Sequence, residues 1–169
     1  GEILGVLNAD DSSYDYLDSV LKVRRLRYSL QRGADVWAAD IRHSPGGLSF
    51  TAQGAGFEIP VSTTLVGDFN LSNILAAIAS TVSTFGLSPD AARRGIAALK
   101  GVPGRMERID LSQPFTAIVD FAHTPHGLRR ALETARRISS TAENAGRAEK
   151  TGNLSAFSAY SAVKQKGRV

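Results

Sequence analysis

The sequence predicts an α/β fold, on three observations. Apolar residues recur at helical spacing from Leu71 through Ile74, Leu75, Ile78 and Val82 to Phe85, which makes one face of a long helix. Two apolar runs, residues 1–8 and 117–119, stop at polar residues, Asn8-Ala9-Asp10-Asp11 and Asp120. Buried strands of an open sheet end in this way. Three brief strand-like segments, residues 38–41, 47–52 and 57–61, are separated by the turn signals Ser44-Pro45-Gly46-Gly47 and Gln53-Gly54-Ala55-Gly56. They predict a small antiparallel patch.

In chain order, residues 1–8 read as a strand, and the loop that follows starts a helix over about 13–21. Residues 26–30 read as another short strand, ahead of the antiparallel patch. His43 stands next to a turn and is expected at the surface. Past the helix that opens at Asn70, Gly86 is expected as the first residue beyond its end. Ser88-Pro89 then supplies an N-cap and a first-turn proline for a helix running to about residue 99, with Arg93 and Arg94 on its wet face. Residues 101–104 read as a loop. Residues 106–111 and 116–120 read as strands on either side of a Ser112-Gln113-Pro114 turn, and a helix over about 125–138 follows. Residues 139–169 form a tail, rich in Ser, Ala, Gly and Asn up to about residue 160, that reads as flexible with room for a helical stretch.

Composition bounds the function. The chain has 169 residues, 43% hydrophobic and 21% charged, which is enough for one domain or a domain plus part of another. There is no Cys, so disulfides and thiolate metal sites are excluded. No apolar run approaches the ~20 residues needed to cross a bilayer as a helix. The N-terminus has no basic segment and is not a signal peptide, and its lack of Met is expected of a piece of a longer chain. The net charge of +4 is uneven: residues 129–169 carry a balance of +6, the rest −2. The basic tail has only Phe157 and Tyr160 as aromatics, so it reads as solvated rather than as a nucleic-acid or membrane surface.

Several residues suit chemistry, each with a plainer alternative. Asn70 and Asn73 lie three apart in the first turn of their helix, so their amides share one edge. An amide offers a donor and an acceptor together and can pair with the N6/N7 edge of adenine; the alternative is an N-cap at Asn70 and a solvated Asn73. Asn8 and Asp10 sit at a strand end, where ligands bind in open sheets, or serve only as loop and cap residues. Arg105 follows a Pro-Gly pair; its guanidinium suits phosphate oxygens, or else a salt bridge with Glu107 or Asp110. Asp120 ends a strand and can accept from ribose hydroxyls, or cap the next helix. His123 can stack on or bond to a nucleotide, or hold a hinge. His123 and His126 are spaced for a metal, without a visible third ligand.

Three stretches in this order, Gly67-Asp68-Phe69-Asn70-Leu71-Ser72-Asn73, Gly101-Val102-Pro103-Gly104-Arg105-Met106-Glu107 and Asp120-Phe121-Ala122-His123-Thr124-Pro125, resemble the ATP-dependent Mur ligases. The nearest pattern is that of the UDP-N-acetylmuramoyl-tripeptide synthetase branch, G-x-F-N-x-x-N, then G-R-M-E, then D-Y-A-H-T-P. The resemblance covers about residues 8–137. It implies the second half of a P-loop-type central ATP-binding domain over residues 1–112 and the first βα unit of a Rossmann-like C-terminal domain over 113–138. It also implies that Asn70, Asn73, Arg105, Asp120 and His123 contact ATP, and that none of them is a nucleophile. The implied reaction is cytoplasmic amide formation in peptidoglycan synthesis. ATP phosphorylates the carboxylate of UDP-N-acetylmuramoyl-L-Ala-D-Glu, and an amino acid's amine displaces the phosphate. Phe121 departs from the pattern by losing the tyrosine hydroxyl.

Parts of the family pattern are absent from these 169 residues. There is no G-T-N-G-K-T phosphate loop, and Gly54-Ala55-Gly56 does not replace it. The Mg²⁺-binding residues, the modified lysine and the D-N-P-R motif are missing too, so the Mg²⁺ ligands are expected elsewhere and ATP binding by this chain alone is expected to be weak. Two rival readings follow. One is a non-catalytic remnant. The other is a folylpolyglutamate or cyanophycin synthetase-like ligase, against which Thr124 and Phe69 count, because those enzymes have Asn at the first position and more often His at the second.

Overall fold

A computed structural model describes residues 3–113 and 115–148. The chain divides into two compact units, Gly1–Lys100 and a second beginning at Gly101. This division falls ahead of the 112/113 boundary read from sequence. The reason is that Met106 N–H donates to the Asp120 carboxylate and Phe121 N–H to Gly104 O, which ties the 101–106 loop to residues 120 and 121.

The first unit contains a five-stranded sheet in the order β1 (Leu4–Asn8), β2 (Arg24–Ser29), β3 (Val36–Ser44), β4 (Gly47–Gly54), β5 (Phe57–Thr63). β1, β2 and β3 are parallel; β3, β4 and β5 are antiparallel. The predicted antiparallel patch is therefore the second half of one mixed sheet. Helix α1 (Tyr14–Val20) makes the crossover from β1 to β2. β5 alternates strictly, with Ile59, Val61 and Thr63 buried and Glu58, Pro60 and Ser62 exposed, as a strand with one face on the core must. Pro60 lacks a backbone N–H and is tolerated because β5 is an outer strand among the described residues. Asp40, with φ 53°, sits where the β3–β4 register shifts, a bulge that lets His43 and Ser44 continue the hairpin.

Helix α2 (Asp68–Ile78) lies against β1, β2 and β3. Its apolar face is the predicted one: Leu71, Ile74, Leu75 and Ile78 are buried with Val36, Phe50, Ile59 and Val61. The period fails at its end. Residues Ala79–Thr84 widen into a π-helical turn, and Phe85, expected on the core face, is 83% exposed. The hydroxyls of Ser80, Thr81 and Thr84 bond back to the carbonyls of Ala76, Ala77 and Ala79. Such back-bonding competes with the regular ladder and bends helices. Gly86 then takes φ +66° and its N–H bonds Val82 O, ending the helix where the sequence places the end. Helix α3 (Pro89–Ala98) packs against β5; Ser88 Oγ accepts from Ala91 N–H, as predicted for the N-cap, and Arg93 and Arg94 pair with Asp90 on the exposed face.

The second unit pairs β6 (Glu107–Ile109) with β7 (Ala117–Val119) in antiparallel register and continues into helix α4 (Pro125–Ala148). The sequence reading ended this helix near residue 138 and began a flexible tail; the helix instead runs on through Ala148, since no Gly or Pro interrupts residues 128–144. The remainder of that tail lies outside the described residues.

Candidate functional site

The five residues singled out for nucleotide contact fall into two groups, one in each unit. In the first unit, Gly67 starts α2 with φ +89° and is buried; a Cβ there would lie 2.6 Å from the Phe69 ring. Only glycine reaches that backbone angle without strain, and the Phe69 ring occupies the space this leaves. Asn70 does not cap the helix. It is buried, and its Nδ2 donates to Val66 O at 2.9 Å, so the amide anchors the turn before the helix. Asn73 is exposed one turn later. The two amides therefore differ: Asn70 faces inward with its N–H used, and Asn73 faces solvent.

The strand-end residues are bound up with one another. Asn8 Oδ1 accepts from Asp10 N–H at 3.0 Å, and Asn8 Nδ2 reaches Ser72 Oγ at 3.5 Å on α2. Asp10 accepts from Ser29 Oγ at 2.6 Å and from Leu30 N–H at 2.7 Å. These bonds tie the carboxyl ends of β1 and β2 together. His43 is not simply a surface histidine. It is half-buried, and its Nε2 lies 3.2 Å from Asp68 Oδ1, which links the end of β3 to the first turn of α2. No spacing rule in the sequence points to that pair, because it depends on the sheet's register.

In the second unit, three of the singled-out residues come together. Arg105 is exposed in the turn closed by Arg105 N–H to Val102 O at 3.0 Å. Among the described residues it forms no ion pair with Glu107 or Asp110; its guanidinium lies 5.4 Å from the centroid of the Phe121 ring, a cation–π distance. Glu107 instead accepts from Gly104 N–H at 2.7 Å. Phe121 is 64% exposed and meets the His123 ring edge-on at 5.2 Å. His123 Nδ1 lies 3.0 Å from Phe121 O. A carbonyl only accepts, so the hydrogen bond is donated by Nδ1, a tautomer that leaves Nε2 as the acceptor nitrogen. Asp120 does not cap α4. One of its oxygens accepts from Met106 N–H and the other from Ala122 N–H, both at 2.8 Å. The role of Phe121 as the platform between Arg105 and His123 was not read from sequence; an aromatic between two singled-out residues is the signal for it.

Chemically, Asn73 offers an exposed amide, Arg105 a solvent-facing fork of N–H donors, and His123 an acceptor nitrogen. Taken one by one, they are suited to a base, to phosphate oxygens and to a hydroxyl. Among the described residues no three His, Asp or Glu side chains come together as a metal site, and none forms a helix long and apolar enough to cross a membrane.

Residues 2–81 match the family described as Mur ligase middle domain, and residues 104–147 match the Mur ligase, glutamate ligase domain. UDP-N-acetylmuramoyl-L-alanyl-D-glutamate--2,6-diaminopimelate ligase of Solibacter usitatus is 41% identical over 79% of this chain. A solved structure of an enzyme of that name superposes with a TM-score of 0.63 at 31% identity, over 79% of this chain and 28% of that one. The folylpolyglutamate synthase of Mycobacterium tuberculosis, solved with ADP and AMPPCP, superposes with a TM-score of 0.58 at 30% identity, over 68% of this chain and 25% of that one. The chain spans about a quarter of the length of the curated relatives it matches, 27% for the Solibacter enzyme. The two matched segments, in this order and carrying these three motifs, make the chain a member of the Mur ligase family.

Proposed function

We propose that the chain is part of an ATP-dependent ligase that joins an amino acid, 2,6-diaminopimelate in the named relatives, to UDP-N-acetylmuramoyl-L-Ala-D-Glu in the cytoplasm. The observation that carries this reading is the Arg105–Phe121–His123 group, in which motif residues far apart in sequence stand side by side. Arg105 would hold phosphate oxygens of ATP in a bidentate fork. His123 Nε2 would accept from a ribose hydroxyl, and Asn73 would pair with the adenine edge, with Asn70 fixing the turn beneath it. Asp120 would serve the same nucleotide through the backbone that it holds. Mg²⁺ would accompany the ATP phosphates, on ligands other than the described residues. No side chain among these is a nucleophile, so their part is to orient and to stabilise charge.

The folylpolyglutamate alternative shares the ADP-type ligand, but Thr124 and Phe69 argue against it. The test is kinetic, in a polypeptide of the relatives' full length that carries residues 1–169. Asn73→Ala and Arg105→Ala should each raise KM for ATP or lower kcat, with the fold intact by circular dichroism. Unchanged ATP kinetics in both variants would remove the assignment.

A further inference from the structure

We propose that Asp120 is a positioning residue whose carboxylate, through Met106 N–H, aims the Arg105 guanidinium. The inference rests on the nucleotide reading for its purpose, but not for its geometry. Each Asp120 oxygen already accepts a backbone hydrogen bond at 2.8 Å, one from Met106 and one from Ala122. The first bond crosses from the end of β7 to the residue directly after Arg105. The second holds the turn that carries Phe121 and His123.

Met106 explains why a clamp is required there. It is buried, yet it has φ +46°, a left-handed angle that a non-glycine side chain adopts only when its surroundings enforce it. A charged acceptor on its N–H is the bond best able to do so, since bonds to ionised groups are about twice as strong as neutral ones. Two further bonds brace the same turn: Glu107 accepts from Gly104 N–H at 2.7 Å, and Phe121 N–H donates to Gly104 O at 2.8 Å. The turn is thus held at Gly104 and Met106, on both sides of Arg105. The Arg105 side chain makes no hydrogen bond or ion pair among the described residues, and its guanidinium meets the Phe121 ring. Its direction is therefore set by the backbone on which it stands.

The test uses the chain of residues 1–169 and nuclear magnetic resonance. A guanidinium stacked over Phe121 has its side-chain protons shifted by the ring current, and Phe121→Leu supplies the value without the ring. In Asp120→Asn and in Asp120→Ser, the Arg105 side-chain resonances should move to the Phe121→Leu value, while the β1–β5 amides stay in place. Ser is included because it leaves no misdirected N–H facing Met106, so either folded variant decides. Arg105 resonances at their native positions in a folded variant whose Met106 amide has moved would overturn the proposal. A second arm titrates inorganic triphosphate. Arg105→Ala and Asp120→Asn should weaken its binding to a similar extent, and the double variant should bind no more weakly than Arg105→Ala alone. Independent, additive losses would instead make Asp120 a direct contact. If Arg105→Ala leaves triphosphate binding unchanged, the nucleotide reading fails, while the ring-current arm still decides the positioning.

Discussion

The two units hold their candidate residues by different means. In the first, a contiguous core of aliphatic and aromatic side chains fixes α2 against the sheet, with Leu71 and Leu75 fully buried. Asn73 needs no polar support, because the helix beneath it is packed. In the second, few of the described side chains are buried, among them Met106 and Ala135, while Phe115, Phe121, Leu128 and Leu132 stay exposed. There the order comes from carboxylates on backbone amides, Glu107 on Gly104 and Asp120 on Met106 and Ala122. A site on a packed helix is robust to polar substitution; a site on a thin hairpin depends on each hydrogen bond.

That contrast can be broken by substitution. Leu75→Ala should be the largest effect, about 2–5 kcal/mol off the first unit's stability in denaturant melts, with the β6 and β7 amides unmoved. A comparable loss in the second unit would erase the distinction. Glu107→Ala should cost the second unit about 1–3 kcal/mol, because it leaves Gly104 N–H without its charged acceptor; faster hydrogen exchange at Gly104, with none at β4 or β5, is the expected readout. Ser88→Ala removes the cap of α3 and should cost about 1 kcal/mol, visible as fraying at Ala91 and Ala92 only.

The smallest effect is pH-dependent and lies at the surface of the first unit. Partial burial alone would raise the Asp35 carboxyl, but the hydrogen bonds and charge of Arg27 outweigh it and hold the group below its ordinary value. A depressed folded-state value means that the stabilisation is present above the unfolded-state value and is lost as pH falls through the folded one. Asp35→Asn should therefore cost well under about 1 kcal/mol at neutral pH, given the exposure of both partners. The gap between native and variant melts should close in acid.

The legibility of the sequence follows the same division. The apolar face of α2, the Ser88 cap and the Gly86 terminus were legible because each is set by residues within a few positions of one another. The antiparallel strands were legible from their turn signals. The failure at Phe85 came from hydroxyls bonding back to the helix, which an apolar period does not register. The His43–Asp68 pair and the Asp120–Met106 bond were not legible, since each depends on strand register. The helix after Pro125 was legible to about residue 138; its extension through Ala148 was not placed, because a Ser- and Ala-rich composition suits flexibility as well as a helical stretch.

The central claim is that Asn73 serves a purine while Arg105 and His123 serve phosphate and ribose. It is tested most directly by titrating the chain separately with adenosine and with inorganic triphosphate, at millimolar concentration where weak binding still registers. Adenosine should shift the Asn73 side-chain amide, and triphosphate should shift the Arg105 side-chain resonances. If neither probe moves its residue while other sites respond, the claim is contradicted.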